Sequence, residues 1–349
     1  MAIGRYLPNC LHTPPDHHAE EHHVSPDPTT FASIQAETDW ERPPFIDVSR
    51  EQLMALIGLW SAGETVDRCD LIAKGGSNTN YLVSFAGRPT RFVMRLYASD
   101  PHGWRKEPRL HGLLGASVPM PRVVYSGIAP DIADYPFTVF EFVEGQTLLE
   151  RMASGQIPTL GLIRQIARSL ALIHRHRYDE IGALDEDLQV VEDLPPFDTW
   201  IELFLNARAT ERLGAEVVDR YRALVEARRA DIAEIASWTA LVHGDYRPTN
   251  LLVRGDDLAA VIDWEFAMAD HPFSDLGQII RHGWMTGAME SEFVSVYNEI
   301  STNPLPGNWK QLARLRDSIN LVQLIGSRIE KPRMQADLRR LILSVIEQS

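Results

Sequence analysis

The sequence predicts an α+β fold in two lobes, a small antiparallel-sheet lobe with one main helix followed by a larger, mostly helical lobe. Three observations point there. Between residues 69 and 143, short runs rich in β-branched and aromatic residues are punctuated by Gly-rich stretches and leave room for a single helical segment. Beyond Gly145, apolar residues recur at helical spacing instead. The chain has 349 residues, and at roughly 150 residues per domain that length allows about two domains. A hydrophobic content of 44% beside 23% charged residues is ordinary for a chain that buries a core.

Taken in order, residues 1–44 read as a disordered tail. The run from Leu11 to Thr30 is rich in Pro, His, Asp and Glu, and such a segment buries too little apolar surface to offset its ordering entropy. Its histidines, among them His12, His17, His18, His22 and His23, lack anything that fixes ligand geometry. Residues 45–144 form the first lobe. Asp47 or Ser49 caps a helix carrying Leu53, Leu56, Ile57 and Trp60. Strands follow at Cys69–Lys74, Asn80–Phe85 and Arg91–Tyr97, then a helix near Trp104–Leu114, then strands at Arg122–Gly127 and Phe137–Val143. Pro108 marks a helix start, with Glu107 in its first turn. Residues 145–349 form the second lobe. Leu162, Ile166, Leu170 and Ile173 mark the buried face of a helix ending near His174–Arg177, and a further helical region runs from Phe197 to Ile235. Two short strands, Leu251–Val253 and Ala259–Ile262, bracket a Gly255-Asp256 turn. From Ser274 onward the pattern is helical again, and no internal repeat is visible.

Several classes are excluded early. A formal net charge of −14 argues against nucleic-acid binding, which needs a dense Lys/Arg surface. Two cysteines, Cys10 and Cys69, make neither a disulfide framework nor a structural zinc site. No apolar stretch is long enough to span a bilayer, and the N-terminus lacks a secretory pattern, so the expected location is cytoplasmic.

The strongest chemical signal is His243-Gly244-Asp245-Tyr246-Arg247-Pro248-Thr249-Asn250, followed by Val261-Ile262-Asp263-Trp264-Glu265. Phosphoryl transfer asks for positioning and charge neutralisation: a carboxylate near the incoming hydroxyl, and oxygen ligands for Mg²⁺ beside the phosphates. Asp245, Asn250 and Asp263 supply such groups, and the intervening hairpin brings the two segments together.

The pattern H-G-D-x-x-x-x-N followed by I-D-W-E resembles the signature of the aminoglycoside phosphotransferase and choline-kinase-like small-molecule kinases. It is also similar to the H-R-D-x-x-x-x-N loop and D-F-G of protein kinases. The resemblance covers roughly residues 70 to 280 and implies a protein-kinase-like fold whose first lobe binds nucleotide. It implies that Asp245 is the catalytic Asp, orienting the substrate hydroxyl and accepting its proton, and that Asn250 and Asp263 bind Mg²⁺. Gly75, Gly76, Ser77 and Asn78 lie in a loop like the family's G-x-x-N-x-x-Y, where glycines let backbone approach phosphate, although a plain hairpin turn would look the same. Arg95, in the strand Phe92-Val93-Met94-Arg95-Leu96, stands where protein kinases carry a phosphate-binding Lys, and Glu107 is its best partner. Glu141, Phe142 and Val143 resemble the hinge whose backbone meets the adenine edge. Asp270-His271-Pro272-Phe273-Ser274-Asp275-Leu276-Gly277 resembles the family's D-P-x-x-D-L segment with a His inserted, in which Asp275 braces the catalytic loop.

The implied activity is transfer of the γ-phosphate of ATP, or of GTP, to a hydroxyl of a small molecule with Mg²⁺. The acceptor choices are an aminoglycoside-type antibiotic or a metabolite alcohol such as choline, homoserine or a sugar. A catalytically weak nucleotide-binding relative is the competing reading. A protein-directed kinase is disfavoured, because no A-P-E segment follows Asp263. The acid-rich helices near 190–240 could favour a polycation or serve solubility. Glu265 and Asp270 could meet an ammonium group. Trp200, Trp264 and Trp284 could stack on the acceptor or belong to the core. Oligomeric state is not legible in the sequence.

Overall fold

The computed structural model describes residues 28–41, 44–72, 78–98, 103–193, 197–236 and 238–348. Helix α1 (Pro28–Thr38) is followed by α2 (Arg50–Gly58) and strands β1 (Val66–Ile72), β2 (Thr79–Phe85) and β3 (Phe92–Leu96). Helix α3 (Gly103–Leu114) then leads into β4 (Val123–Ala129) and β5 (Ala133–Glu141). These five strands form one antiparallel sheet in the order β1-β2-β3-β5-β4. Its core is Val83, Phe85, Phe92, Met94, Leu96, Phe137 and Val139, closed on one face by Leu53, Leu56 and Ile57 of α2. Ser49 starts α2 through a reciprocal capping box with Gln52.

The chain leaves the sheet at Glu141 and turns at Gly145, where an added Cβ would lie 2.8 Å from the Val253 carbonyl oxygen. The short strand β6 (Gln146–Thr147) leads into α4 (Leu148–Ala153) and α5 (Leu160–Ile173), followed by β7 (Gly182–Leu184) and β8 (Val190–Asp193). Four helices come next: α6 (Phe197–Phe204), α7 (Ala207–Leu213), α8 (Ala215–Ala227) and α9 (Arg229–Ile235). Then β9 (Ala240–Val242), β10 (Leu251–Arg254), β11 (Asp257–Val261) and β12 (Met268–Asp270) precede α10 (Phe273–Ile280), α11 (Gly287–Ile300), α12 (Trp309–Ile325) and α13 (Pro332–Gln348). Strand β10 pairs with β11 on one side and β6 on the other, while β12 sits between β7 and β9. The segments carrying Asp245, Asn250 and Asp263 leave these two small sheets. Among the described residues no helix is long and apolar enough to cross a membrane.

Two sequence expectations are corrected. Helix α3 begins at Gly103, so Pro108 lies inside it and Glu107 sits beyond its first turn. A proline there removes the hydrogen bond to the carbonyl of Trp104 four residues back. That carbonyl instead accepts from Ser126 Oγ on β4 and, at 3.4 Å, from Thr138 Oγ1 on β5. The sheet replaces the missing donor, and the helix continues.

The second correction concerns residues 28–41, expected as part of the tail. Helix α1 packs on the helical lobe through buried Ile34. Its Glu37 is buried and meets Arg247, Arg281 and His282. Tertiary ion pairing, not local composition, orders the segment. The tail expectation for residues 1–27 lies outside the described residues, as does Cys10.

Burial works to raise the Glu37 carboxyl, but Arg281 and Arg247, with His282, hold it well below the usual carboxylate range. A carboxyl depressed on folding contributes its full stabilisation above the ordinary carboxylate range and loses it as pH falls through the depressed value. Helix α1 is therefore expected to stay docked through mildly acid pH and undock in strong acid. Hydrogen exchange of the α1 amides, corrected for intrinsic rate, tracks this, and Glu37→Gln should leave the helix loosened at every pH.

Candidate active site

The loop from His243 to Asn250 is held from below by α10. The Asp275 carboxylate accepts the His243 N–H at 2.7 Å through Oδ2 and the Gly244 N–H at 2.9 Å through Oδ1. Gln278, one turn later, accepts the Tyr246 N–H and donates to the Gly244 carbonyl, both at 2.7 Å. Gly244 has φ +78, and a Cβ there would lie 2.3 Å from the Phe266 carbonyl oxygen, so only glycine fits. His243 Nε2 donates to the Ile262 carbonyl at 3.0 Å, while Nδ1 accepts the Asp245 N–H at 3.1 Å. Burial pushes the His243 ring below its ordinary pKa, which suits this one-donor, one-acceptor pattern.

Asp245 projects from this braced loop. Its Oδ2 accepts from Asn250 Nδ2 at 2.7 Å and from Arg247 at 2.8 Å. Arg247 Nε also lies 2.5 Å from Oδ1. A carboxylate has about four acceptor positions, so Oδ1 keeps capacity for a further donor. With Nδ2 turned to Asp245, the Asn250 Oδ1 accepts no bond among the described residues. The Asn250 backbone carbonyl accepts the Ile262 N–H at 3.0 Å, which sets Asp263 beside it. Asp263 adopts a left-handed conformation, φ 72 and ψ 57, uncommon outside glycine and costing on the order of 1–3 kcal/mol.

The sheet lobe reaches the Asp263 segment at three points. Arg95 NH2 lies 2.9 Å from Asp263 Oδ1, while its NH1 donates to Glu107 at 2.9 Å and its Nε to Asn80 at 3.2 Å. Three of the five guanidinium donors are thus engaged and two remain. Burial pushes the Glu107 carboxyl up, with Arg95 opposing it. Lys106 Nζ donates to the Glu265 carbonyl at 2.9 Å and to the Ala267 carbonyl at 3.3 Å. Asn78 Nδ2 donates to Glu265 Oε2, and its buried Oδ1 has no partner among the described residues.

The structure thus brings Asp245, Asn250, Asp263, Arg95, Glu107 and Asn78 to one place between sheet and helical body. Gly75, Gly76 and Ser77 lie outside the described residues. At the connector, the Glu141 and Phe142 N–H groups donate to the Arg122 and Arg91 carbonyls, and the Glu141 side chain pairs with Arg122. Among the described residues the Val143 N–H has no partner, so it is the amide in this stretch free to meet a ligand.

One suggested substrate contact, Asp270, is corrected, and the open readings of the tryptophans and the acidic helices narrow. Asp270 is buried against Arg316, with both side chains 2% exposed. Trp200, Trp264 and Trp284 are core residues. In the acid-rich helices, Glu202, Glu226 and Asp231 pair with Arg222, Arg229 and Arg228. Sequence reasoning missed Arg247, Gln278, Lys106 and Glu37 as parts of the site. Arg247 stood inside the strongest motif, but its partner Glu37 is 210 residues away.

Comparison with known proteins agrees with this architecture. Residues 68–299 match the sequence model described as the phosphotransferase enzyme family. A homoserine kinase from Chelativorans sp. (strain BNC1) is 28% identical over 251 residues, spanning 68% of this chain and 70% of that protein. A second, from Mesorhizobium japonicum, is 25% identical over 238 residues, spanning 65% and 67%. Among solved structures, aminoglycoside phosphotransferase APH(4)-Ia superposes with a TM-score of 0.62 at 16% identity, covering 86% of this chain and 99% of that one. The GDP complex of aminoglycoside 2'-phosphotransferase-IIIa gives 0.61 at 17%, with the same coverage. These superpositions establish the bilobal kinase-like fold.

Asp270→Ala removes the buried carboxylate paired with the Arg316 guanidinium and should cost about 3–5 kcal/mol of folding stability in denaturant titration. A substrate-facing carboxylate would instead change activity at unchanged stability.

Proposed function

This chain belongs to the phosphotransferase enzyme family and transfers phosphate to hydroxyl groups; within that class we propose a kinase that moves the terminal phosphoryl group of a nucleoside triphosphate onto a small metabolite alcohol. The observation that carries this reading is the junction of Asp245, Asn250 and Asp263. Asp245 Oδ1 takes the acceptor hydroxyl as hydrogen-bond donor. As the new oxygen–phosphorus bond forms and the bond to the leaving nucleoside diphosphate breaks, the hydroxyl proton passes to Asp245.

The donor set fits Mg²⁺. Asn250 Oδ1 and Asp263 Oδ2 are hard oxygens free of bonds among the described residues, and magnesium is commonly held by few protein oxygens plus phosphates and water. Bound there, Mg²⁺ supplies charge neutralisation on the phosphates. Arg95 supplies two unspent donors toward the same phosphates, and Glu107 keeps its fork oriented. The Val143 N–H offers a donor to a base edge. Either ATP or GTP fits this description, and the complexes of neighbours with ADP and with GDP support testing both.

For the acceptor, an amino alcohol of the homoserine kind is the leading choice. The sequence relatives are homoserine kinases, and the acidic helices have spent several of their carboxylates on arginines, which weakens the case for a polycationic sugar. The test is phosphate transfer from Mg-ATP and Mg-GTP to homoserine, choline, simple sugars and kanamycin, read by mass spectrometry. Homoserine phosphate is the expected product, and phosphorylated kanamycin alone would overturn the acceptor assignment. Asp245→Asn should lower turnover by roughly 10²–10⁴ at near-normal nucleotide affinity. Asp263→Ala should instead weaken Mg-nucleotide binding. Unchanged turnover in Asp245→Asn would remove Asp245 from the mechanism.

A further inference from the structure

Helix α1 precedes the stretch, residues 68–299, that matches the family. It nonetheless reaches the catalytic loop. The Glu37 carboxylate is almost fully buried, and three cationic or titratable groups converge on it. Its Oε1 accepts from Arg281 NH1 at 2.9 Å and lies 3.1 Å from His282 Nε2, while its Oε2 accepts from Arg247 NH1. Arg281 is already balanced by a bidentate pair to Asp317, at 2.8 and 2.7 Å. Arg247 has no such second anchor: its other edge faces Asp245, where NH2 donates to Oδ2 at 2.8 Å and Nε lies 2.5 Å from Oδ1 as a charge contact without hydrogen-bond geometry.

The geometry makes Arg247 a bridge. A guanidinium is planar, so fixing one end fixes the direction in which the other end presents its donors. Glu37 holds NH1, and the NH2 donor is thereby aimed at Asp245 Oδ2. Without Glu37 the half-buried Arg247 side chain keeps only the carboxylate it is supposed to orient, and its rotamers toward solvent become accessible. Asp245 would then be positioned by Asn250 alone. An apolar tether such as Ile34 would dock α1 without this charge arrangement.

We propose that Glu37 is a positioning residue for phosphoryl transfer, acting through Arg247 to fix the Asp245 carboxylate, so that helix α1 is part of the catalytic unit. This rests on the reading of Asp245 as the proton acceptor. Glu37 touches neither substrate nor nucleotide in this scheme. Its loss should act on turnover and leave nucleotide affinity alone.

The experiment uses the full chain with Mg-ATP, homoserine as acceptor, and acceptor-free ATP hydrolysis as a parallel readout. Glu37→Gln should lower kcat by about 10- to 100-fold, the scale set by misplacing a reacting group by about an ångström. The KM for Mg-ATP should stay within about twofold, since uniform binding is untouched. In an Arg247→Gln background, Glu37→Gln should add no further loss, because both changes remove one coupled unit. Arg247→Lys, which keeps charge but lacks the fork, should lower kcat similarly and covers the case in which Glu37→Gln fails to fold. Glu41→Gln loosens the same segment from Arg333 and Met334 without touching Arg247, and should retain kcat.

The proposal is overturned by wild-type kcat in Glu37→Gln or Arg247→Lys. It is equally overturned by the same loss from Glu37→Gln in both backgrounds, or by an equal loss in Glu41→Gln. Failure of the underlying reading looks different: there Asp245→Asn itself retains turnover, whatever Glu37 does.

Discussion

The loop from His243 to Asn250 depends on one buried carboxylate. Asp275 is fully enclosed, and an enclosed charge is tolerated only where donors replace the water it has lost. It finds them in two consecutive backbone N–H groups, those of His243 and Gly244, and in His174, whose Nε2 lies 3.1 Å from Oδ2. The carboxylate can only accept, which makes Nε2 the protonated nitrogen of His174 and leaves Nδ1 facing the Tyr297 hydroxyl at 2.7 Å. The anchor therefore extends through α5 and α11 into the hydrophobic core. A loop that must carry a partly buried carboxylate in a fixed direction is built on groups that cannot move without leaving a buried charge unpaired.

The same logic links the two lobes. The turn at Gly145 makes one covalent crossing, but Arg95, Lys106 and Asn78 make three polar ones, all onto the segment from Asp263 to Ala267. Two of these come from the β3–α3 unit. Arg95 is set by its register in β3 and by Glu107, and Lys106 is the neighbour of Glu107 on α3. The strand and helix that hold the Arg95 guanidinium therefore also hold the backbone that carries Asp263. A shift of α3 would disturb both together, which couples lobe geometry to the donor set.

What was legible in the sequence is what is local. The spacing of Asp245 and Asn250, the hairpin through Gly255, and the strand–helix order need only near neighbours, and the structure follows them. Pro108 misled because the rule for proline at a helix start assumes that no other donor takes over the orphaned carbonyl, whereas here Ser126 supplies one from the sheet. Asp270 misled because nothing near it in sequence announces Arg316, which arrives from α12. The polar composition around α1 suggested a tail, because its stabilising partners, Arg247 and Arg281, lie far along the chain. Aromatic residues carry the same limit: Trp264 reads alike whether it stacks on a ligand or, as here, packs in the core at a tilt against His243, with ring centroids 4.5 Å apart.

Strain at the site fits this picture of remote support. Gly244 and Asp263 both have positive φ, and the backbone following each is drawn toward the other, with Phe266 O in the space a Gly244 side chain would fill. An isolated loop would relax both conformations. Here relaxation at Asp263 would break the Arg95 pair, and relaxation at Gly244 would break the hydrogen bonds to Asp275 and Gln278. The cost of the left-handed residue, on the order of 1–3 kcal/mol, is comparable to a single charged hydrogen bond at about 1.5–3 kcal/mol. One such pair opposes relaxation at Asp263 and two hydrogen bonds oppose it at Gly244, so the bent backbone is held in place. The carboxylates and the amide then converge before any ligand arrives, and the ordering that transfer requires is already present in the folded chain.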